Sequence, residues 1–199
     1  FTIAATPASQ EICVGANAAY TVNIGSISGY NSPVTLSASG NPGTAGFSTN
    51  PVTPPGASTM TISGAAAGSC NFNVVGTAAG PNVHQAAVGL TVQAAAPGVP
   101  VLTAPANGAT NVPTTPTFTW NAATGASTYD IQVATDAGFS NIVASATGLT
   151  GTTWSGASLN TNTMYYWRVK ANNACGAGSY STVFSFTTVG APGDCAAGT

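Results

Sequence analysis

The sequence predicts an all-β chain built from two antiparallel β-sandwiches in tandem. Three observations predict it. Apolar residues recur at every second position in short runs, the period of a half-buried strand. Gly at 24 and Pro at 13 of 199 residues, with abundant Thr, Ser and Asn, cut those runs apart, while Glu, Lys, Arg and Met are scarce. Near the midpoint, Ala94-Ala-Ala-Pro-Gly-Val-Pro100 is a small-residue, Pro-punctuated linker. The chain therefore reads as a sandwich over 1–94, a short semi-stiff linker over 95–100, a sandwich over 101–190 and a disulfide-tethered tail over 191–199.

In the first half, Tyr20, Val22 and Ile24 share one face of a strand while Thr21 and Asn23 take the other. Val34, Leu36 and Ala38 repeat the pattern, as do Met60 with Ile62 and Phe72 with Val74. The last run sets Ala86, Val88, Leu90 and Val92 on one side. His84 is in phase with that face, which points it toward the rim of the core.

In the second half, Phe118 and Trp120 alternate on an early strand. Tyr129, Ile131 and Val133 follow, with Asp130 and Gln132 facing out. Ile142 and Val143 suit an edge strand, and Phe184 and Phe186 close the domain. Between them, Tyr165, Trp167, Val169 and Ala171 face inward, so Tyr166, Arg168 and Lys170 face outward. Asp130 is the natural cross-strand partner of the two cations, in a pair that contributes about 0 to 1 kcal/mol. Asp136-Ala-Gly-Phe-Ser140 reads as a turn, with Phe139 plugging the core.

Residues 98–188 resemble a fibronectin type III domain. The resemblance is carried by Trp120, then Leu159 six residues before Tyr165, then Val169 and Ala171. These are the expected core markers, and Tyr165 is implied to be a tyrosine corner whose hydroxyl bonds the preceding backbone. The family has Pro two residues after the Leu; Thr161 stands here. A finer resemblance lies in Pro105–Thr110, Ala134–Phe139, Tyr165–Val169, Asn173–Gly176 and Pro192–Cys195. It is to a subtype found beyond the catalytic domains of secreted bacterial peptidases, both subtilisin-like and zinc-dependent. The first half, through Phe1–Pro7, Cys13 and Asn50–Pro54, is similar to an immunoglobulin-like module that precedes that subtype. The resemblance implies an appendage of the enzyme and a bacterial, extracellular location.

Charge narrows the functions further. The chain has two basic and four acidic side chains, where about 50 charged residues are usual for this length. Two cations cannot hold a phosphate backbone or an anionic membrane surface, so no nucleic acid is expected as partner. No apolar run is long enough to span a bilayer. Cys13, Cys70, Cys175 and Cys195 are even in number and widely spaced, which suits two disulfides and an oxidising compartment. Three connectivities are open; Cys13–Cys70 and Cys175–Cys195 are favoured because each stays within one half. They would stabilise by roughly 4 and 3 kcal/mol in the loop-entropy picture. A zinc site is disfavoured: there is no C-x-x-C, and only His84 could join. No metal or cofactor is expected. The chain opens at Phe1 without a leader and reads as a piece of a secreted precursor.

Catalytic residues are not found. One His, His84, has only Glu11 as an acid in its own half, and neither G-x-S-x-G nor H-E-x-x-H occurs. Tyr30, Trp154, Tyr166 and Tyr180 are the aromatics without an inward assignment, and they are the candidates for a surface that stacks on sugar or peptide. Two readings follow. One is a non-catalytic accessory region of a secreted peptidase that spaces, stabilises or holds polymeric substrate, its partner being the catalytic domain of the same precursor. The other is a structural module of an extracellular filament, adhesin or surface layer, its partners being copies of itself. The first expects an elongated monomer at micromolar concentration; the second expects repeated contacts burying over about 1,000 Å².

Overall fold

In the computed structural model, which describes residues 1–80 and 82–190, the chain divides into two units, Phe1–Ala95 and Ala96–Thr199. Each is a pair of β-sheets around its own apolar core, and no described residue is in an α-helix.

In the first unit, strands β1 (Thr2–Thr6), β3 (Ala18–Gly25), β6 (Gly56–Ser63) and β5 (Thr44–Phe47) form one four-stranded sheet in the order β1-β3-β6-β5. The other four-stranded sheet runs β2-β8-β7-β4, from β2 (Ser9–Cys13), β8 (Val83–Gln93), β7 (Gly68–Thr77) and β4 (Thr35–Ser39). Period-2 alternation makes this possible. On β3, Ala18, Tyr20, Val22 and Ile24 are buried while the residues between them are exposed. Met60, Ile62, Phe72, Val74, Val88, Leu90 and Val92 complete the core. The Tyr20 hydroxyl crosses from one sheet to the other and donates to the Gly89 carbonyl at 2.7 Å. Burial raises the pKa of that hydroxyl.

Pro7, which offers no N–H to a ladder, separates β1 from β2. The opening strand therefore splits between the sheets, and β2 runs parallel to the last strand, β8, with Ser9 opposite Gly89 and Cys13 opposite Gln93. One parallel pair thus stands in a sandwich expected to be wholly antiparallel.

The second unit repeats the device. β9 (Val101–Ala104) ends before Pro105, and β10 (Ala109–Val112) joins the other sheet parallel to β17 (Phe184–Thr188). The smaller sheet is β14-β11-β9, with β11 (Phe118–Asn121) and β14 (Thr153–Trp154). The six-stranded sheet runs β10-β17-β15-β12-β13, with β12 (Thr128–Ala134), β13 (Ile142–Leu149) and β15 (Met164–Asn173), while the two-residue β16 (Gly176–Ala177) pairs with β15. Trp120, Leu159, Tyr165 and Val169 are all buried in its core, with Trp167 and Phe118 fully enclosed. The Tyr165 hydroxyl accepts the Asn160 N–H at 3.0 Å, closing a tyrosine corner just before β15 even though Thr161 replaces the family's Pro.

The cysteines differ from expectation. Cys70 is a free, half-buried thiol, whereas Cys13 and Cys175 are disulfide-bonded. Cys13 and Cys70 are not partners. Cys13 lies opposite Gln93 and Cys70 opposite Leu90, on strands either side of β8. That is two strand spacings, about 9.5 Å, plus three residues along the strand, far beyond the roughly 7 Å reach of a disulfide. The two also point to opposite faces, Cys70 with buried Phe72 and Cys13 one residue past buried Ile12. The expected Cys175–Cys195 link and the tail over 191–199 lie outside the described residues.

Candidate binding face of the second unit

The outer face of the six-stranded sheet gathers Asp130, Arg168 and Lys170. Antiparallel register on β12 and β15 sets Asp130 opposite Lys170, Gln132 opposite Arg168 and Ala134 opposite Tyr166. Lys170 Nζ lies 3.5 Å from Asp130 Oδ2, and both side chains are partly exposed. Asp130 Oδ1 also accepts the N–H of Gly148 on β13, at 3.1 Å.

Arg168 is held more tightly. Its Nε and Nη2 donate to Gln132 Oε1 at 2.9 and 2.8 Å. Its guanidinium lies between two rings, 3.9 Å from the Phe139 centroid and 3.9 Å from that of Tyr180. Such cation–π contacts also exclude water from the planar cation's faces. Lys170 approaches the Tyr180 ring at 5.3 Å. Beside this stack, the Tyr166 hydroxyl donates to Met164 Sδ at 3.3 Å, and Met164 is 52% exposed.

Phe139 reaches the stack because of the turn before it. Asp136 accepts the N–H groups of Ser140 and Asn141 at 3.1 and 2.8 Å, and its carbonyl accepts that of Phe139. The N–H groups of Ser140 and Asn141 hold the Asp136 carboxyl below its usual pKa. Phe139 itself takes a left-handed φ of 58°, a cost that its buried ring offsets. The expectation that Phe139 plugs the core is corrected in place: the turn throws the ring over the outer face, under Arg168.

The four candidate surface aromatics do not converge. Tyr166 and Tyr180 are half-buried on this face. Trp154 stands on the opposite sheet, packed against the core and stacked on Phe118 with 5.6 Å between centroids. A Cβ at Gly156 would come within 2.6 Å of its indole, so the chain passes flat beneath the ring. Tyr30 belongs to the first unit, packs on that core with its ring 6.0 Å from Phe1, and buries its hydroxyl. Both pack against the core of their own unit while staying partly exposed.

The first unit offers less. His84 is exposed at the start of β8 with its ring edge-on to Phe1, 4.7 Å between centroids. Glu11 Oε1 accepts from Gln93 Nε2 at 2.8 Å. A shallow groove of about 160 Å³ crosses β2, β8 and β7, lined by Ser9, Asn71, Thr91 and the free Cys70. Gly89 keeps it open, since a Cβ there would lie 3.0 Å from Asn71 Oδ1. Among the described residues, no cluster of three or more His, Cys, Asp or Glu side chains could hold a metal ion, and no helix is long and apolar enough to cross a membrane.

Residues 106–190 match the family of Rha78A-like N-terminal immunoglobulin domains. A comparison with curated proteins returns no match. Among solved structures, the chain is similar to domains 4 and 5 of the S-layer protein SbsC, at 20% identity and a TM-score of 0.37, covering 47% of this chain and 52% of that one. It thus spans about half the length of that structure. Titin domains A168–A170 are similar at 16% identity and TM-score 0.47, over 88% of this chain and 59% of theirs. Chicken CNTN1 domains FN1–FN3 are similar at 15% identity and TM-score 0.47, over 94% of this chain and 65% of theirs. The chain is a tandem of two β-sandwiches, the second of which carries the match to that immunoglobulin-domain family.

Proposed function

We propose that this chain is a non-catalytic, extracellular segment of a secreted bacterial peptidase precursor, acting as spacer, stabiliser or holder of polymeric substrate. The observation that carries the non-catalytic reading is the commitment of Glu11, Asp130, Asp136, Arg168 and Lys170 to structure. Asp136 closes a turn, Asp130 ties β15 to β13, Glu11 bonds Gln93, and Arg168 is clamped between two rings. A general acid or base must instead reach a substrate proton. Disulfide-bonded Cys13 and Cys175 support an oxidising, extracellular setting. The peptidase context rests on the wording of the second sandwich, including Ala134–Phe139 and Tyr165–Val169.

The test is deletion of these residues from the full precursor. Cleavage of a small chromogenic peptide should persist, while degradation of insoluble protein or resistance to heat inactivation should fall. Loss of small-peptide cleavage in a folded precursor would overturn the accessory reading. A second reading, a structural module of a filament, adhesin or surface layer, is favoured by the scarcity of charge to keep copies apart. Its partners would be copies of the chain.

A further inference from the structure

Every open sheet has two edges, and each edge strand presents unpaired backbone N–H and C=O groups. Most edges in this chain are blunted. β1, β2 and β4 are five residues long, β5, β9 and β10 four, and β14 two. β2 carries Glu11, and β1 and β9 run into Pro7 and Pro105. β13 differs. It is eight residues long, Ile-Val-Ala-Ser-Ala-Thr-Gly-Leu, with no charge and no Pro. It pairs with β12 on one side, and no described strand pairs with it on the other.

We propose that the free edge of β13 pairs with β13 of a second copy of this chain. The ladder to β12 shifts register between Tyr129 and Ile131 and again between Val133 and Ala134. Between the shifts, Ala144, Ser145 and Ala146 run regularly against Val133, Gln132 and Ile131. A twofold axis at Ser145 makes this stretch complementary to itself. Ser145 then faces Ser145 of the other copy, Val143 faces Thr147, and Ala144 faces Ala146. Hydroxyl and β-branched pairs of this kind favour antiparallel strands. A like-charge conflict cannot arise, because the strand has no charge. The occupant also completes unfinished burial: Ala144, Ala146 and Leu149 pack on the core yet stay partly exposed, and Ile142 and Val143 are 42% and 45% exposed. A partner strand of this chain covers them with side chains of matching size.

The interface is isologous and small, below about 1,200 Å², in the range of weak and transient contacts. It forms equally on a peptidase appendage or a layer module, so its failure leaves the non-catalytic reading intact. The test uses the whole chain with Cys70→Ser, which removes the one free thiol among the described residues, and this chain without further change is the control for cross-linking. Sedimentation equilibrium should show a monomer–dimer balance that hardly changes between low and high salt. Ser145→Lys sets two ammonium groups face to face and should raise Kd at least about tenfold, with tryptophan fluorescence unchanged. Ser145→Cys should give a disulfide-linked dimer on mild oxidation. A chain that stays monomeric to about 1 mM, or one whose association ignores Ser145→Lys and whose Ser145→Cys form does not cross-link, overturns the pairing.

Discussion

The two units manage scarce charge differently. In the first, Glu11 is bonded to neutral Gln93, and loops are fastened by amides and hydroxyls. Asn50 imitates a strand, accepting the Leu36 N–H and donating to the Leu36 carbonyl, both at 2.8 Å. Ser48 and Ser58 exchange similar bonds across the neighbouring sheet. The second unit instead draws two cations and an acid onto one sheet face and wedges Arg168 between aromatics from two loops. The contrast teaches that charge here serves as a fastener for loops, used where long connections around Phe139 and Tyr180 must be pinned. Elsewhere, neutral side chains that copy backbone geometry do the same task.

The comparison can be broken most severely at the second core. Trp167 is fully buried, and truncation to Ala should cost about 3–5 kcal/mol through lost burial and a cavity. All three tryptophans, Trp120, Trp154 and Trp167, lie in the second unit, so fluorescence of the remaining two reads that unit alone. The first unit, followed by hydrogen exchange of the backbone amides of β3 and β6, should keep its urea midpoint. A common shift of both signals would show that the two unfold as one.

A smaller effect sharpens the comparison. Tyr20 donates its hydroxyl to a backbone carbonyl, whereas Tyr165 accepts a backbone N–H. Tyr20→Phe and Tyr165→Phe should each cost about 1–3 kcal/mol by leaving a buried group unpaired, each in its own unit only. Parent-like stability of Tyr165→Phe in urea would mean that the corner bond does not matter. Arg168→Ala should cost about 1–2 kcal/mol through lost stacking and lost bonds to Gln132, and Arg168→Lys should recover only part of it. Full recovery by Lys would reduce the clamp to simple charge.

The smallest effect is in pH dependence, and it has opposite sign in the two units. The Asp136 pKa is lowered, so its contribution is present above the unfolded value near 4 and is lost as pH falls through the folded one. The Tyr20 pKa is raised, so its contribution is complete below about 10 and is lost as pH rises through the folded value. Acid should loosen the second unit first, and alkali the first. Parallel pH profiles by tryptophan fluorescence and by amide exchange on β3 would erase the distinction.

Strands with three or more inward residues, such as Tyr20–Val22–Ile24 and Tyr165–Trp167–Val169, are legible in the sequence because alternation fixes their faces. β5, β10, β14 and β16 are not, being too short to show a period. The cysteine pairing was not legible because it depends on strand order: β8 lies between β2 and β7, which spacing along the chain does not reveal. Of the candidate aromatics, Tyr166 follows from parity on β15, but Trp154 and Tyr30 sit at strand ends and loops where parity gives no direction. The Arg168 stack was missed for a related reason. Its signal, the Asp136 turn, was visible, yet the left-handed backbone at Phe139 that aims the ring was not.

The splitting of each opening strand at a proline bears on how the chain responds to mechanical load. In both units the strand after the proline runs parallel to the unit's last described strand, so tension applied across that pair slides one past the other. The ladder bonds then resist in shear, all at once, instead of opening one after another like a zipper. β2 lies in continuous register from Ser9 to Cys13, whereas β10 meets β17 only at Ala109 and Val112, with a shift between. Stretched as a single molecule with its disulfides reduced, the first unit should hold to the higher force and the second should yield first, lengthening the chain while its neighbour stays folded.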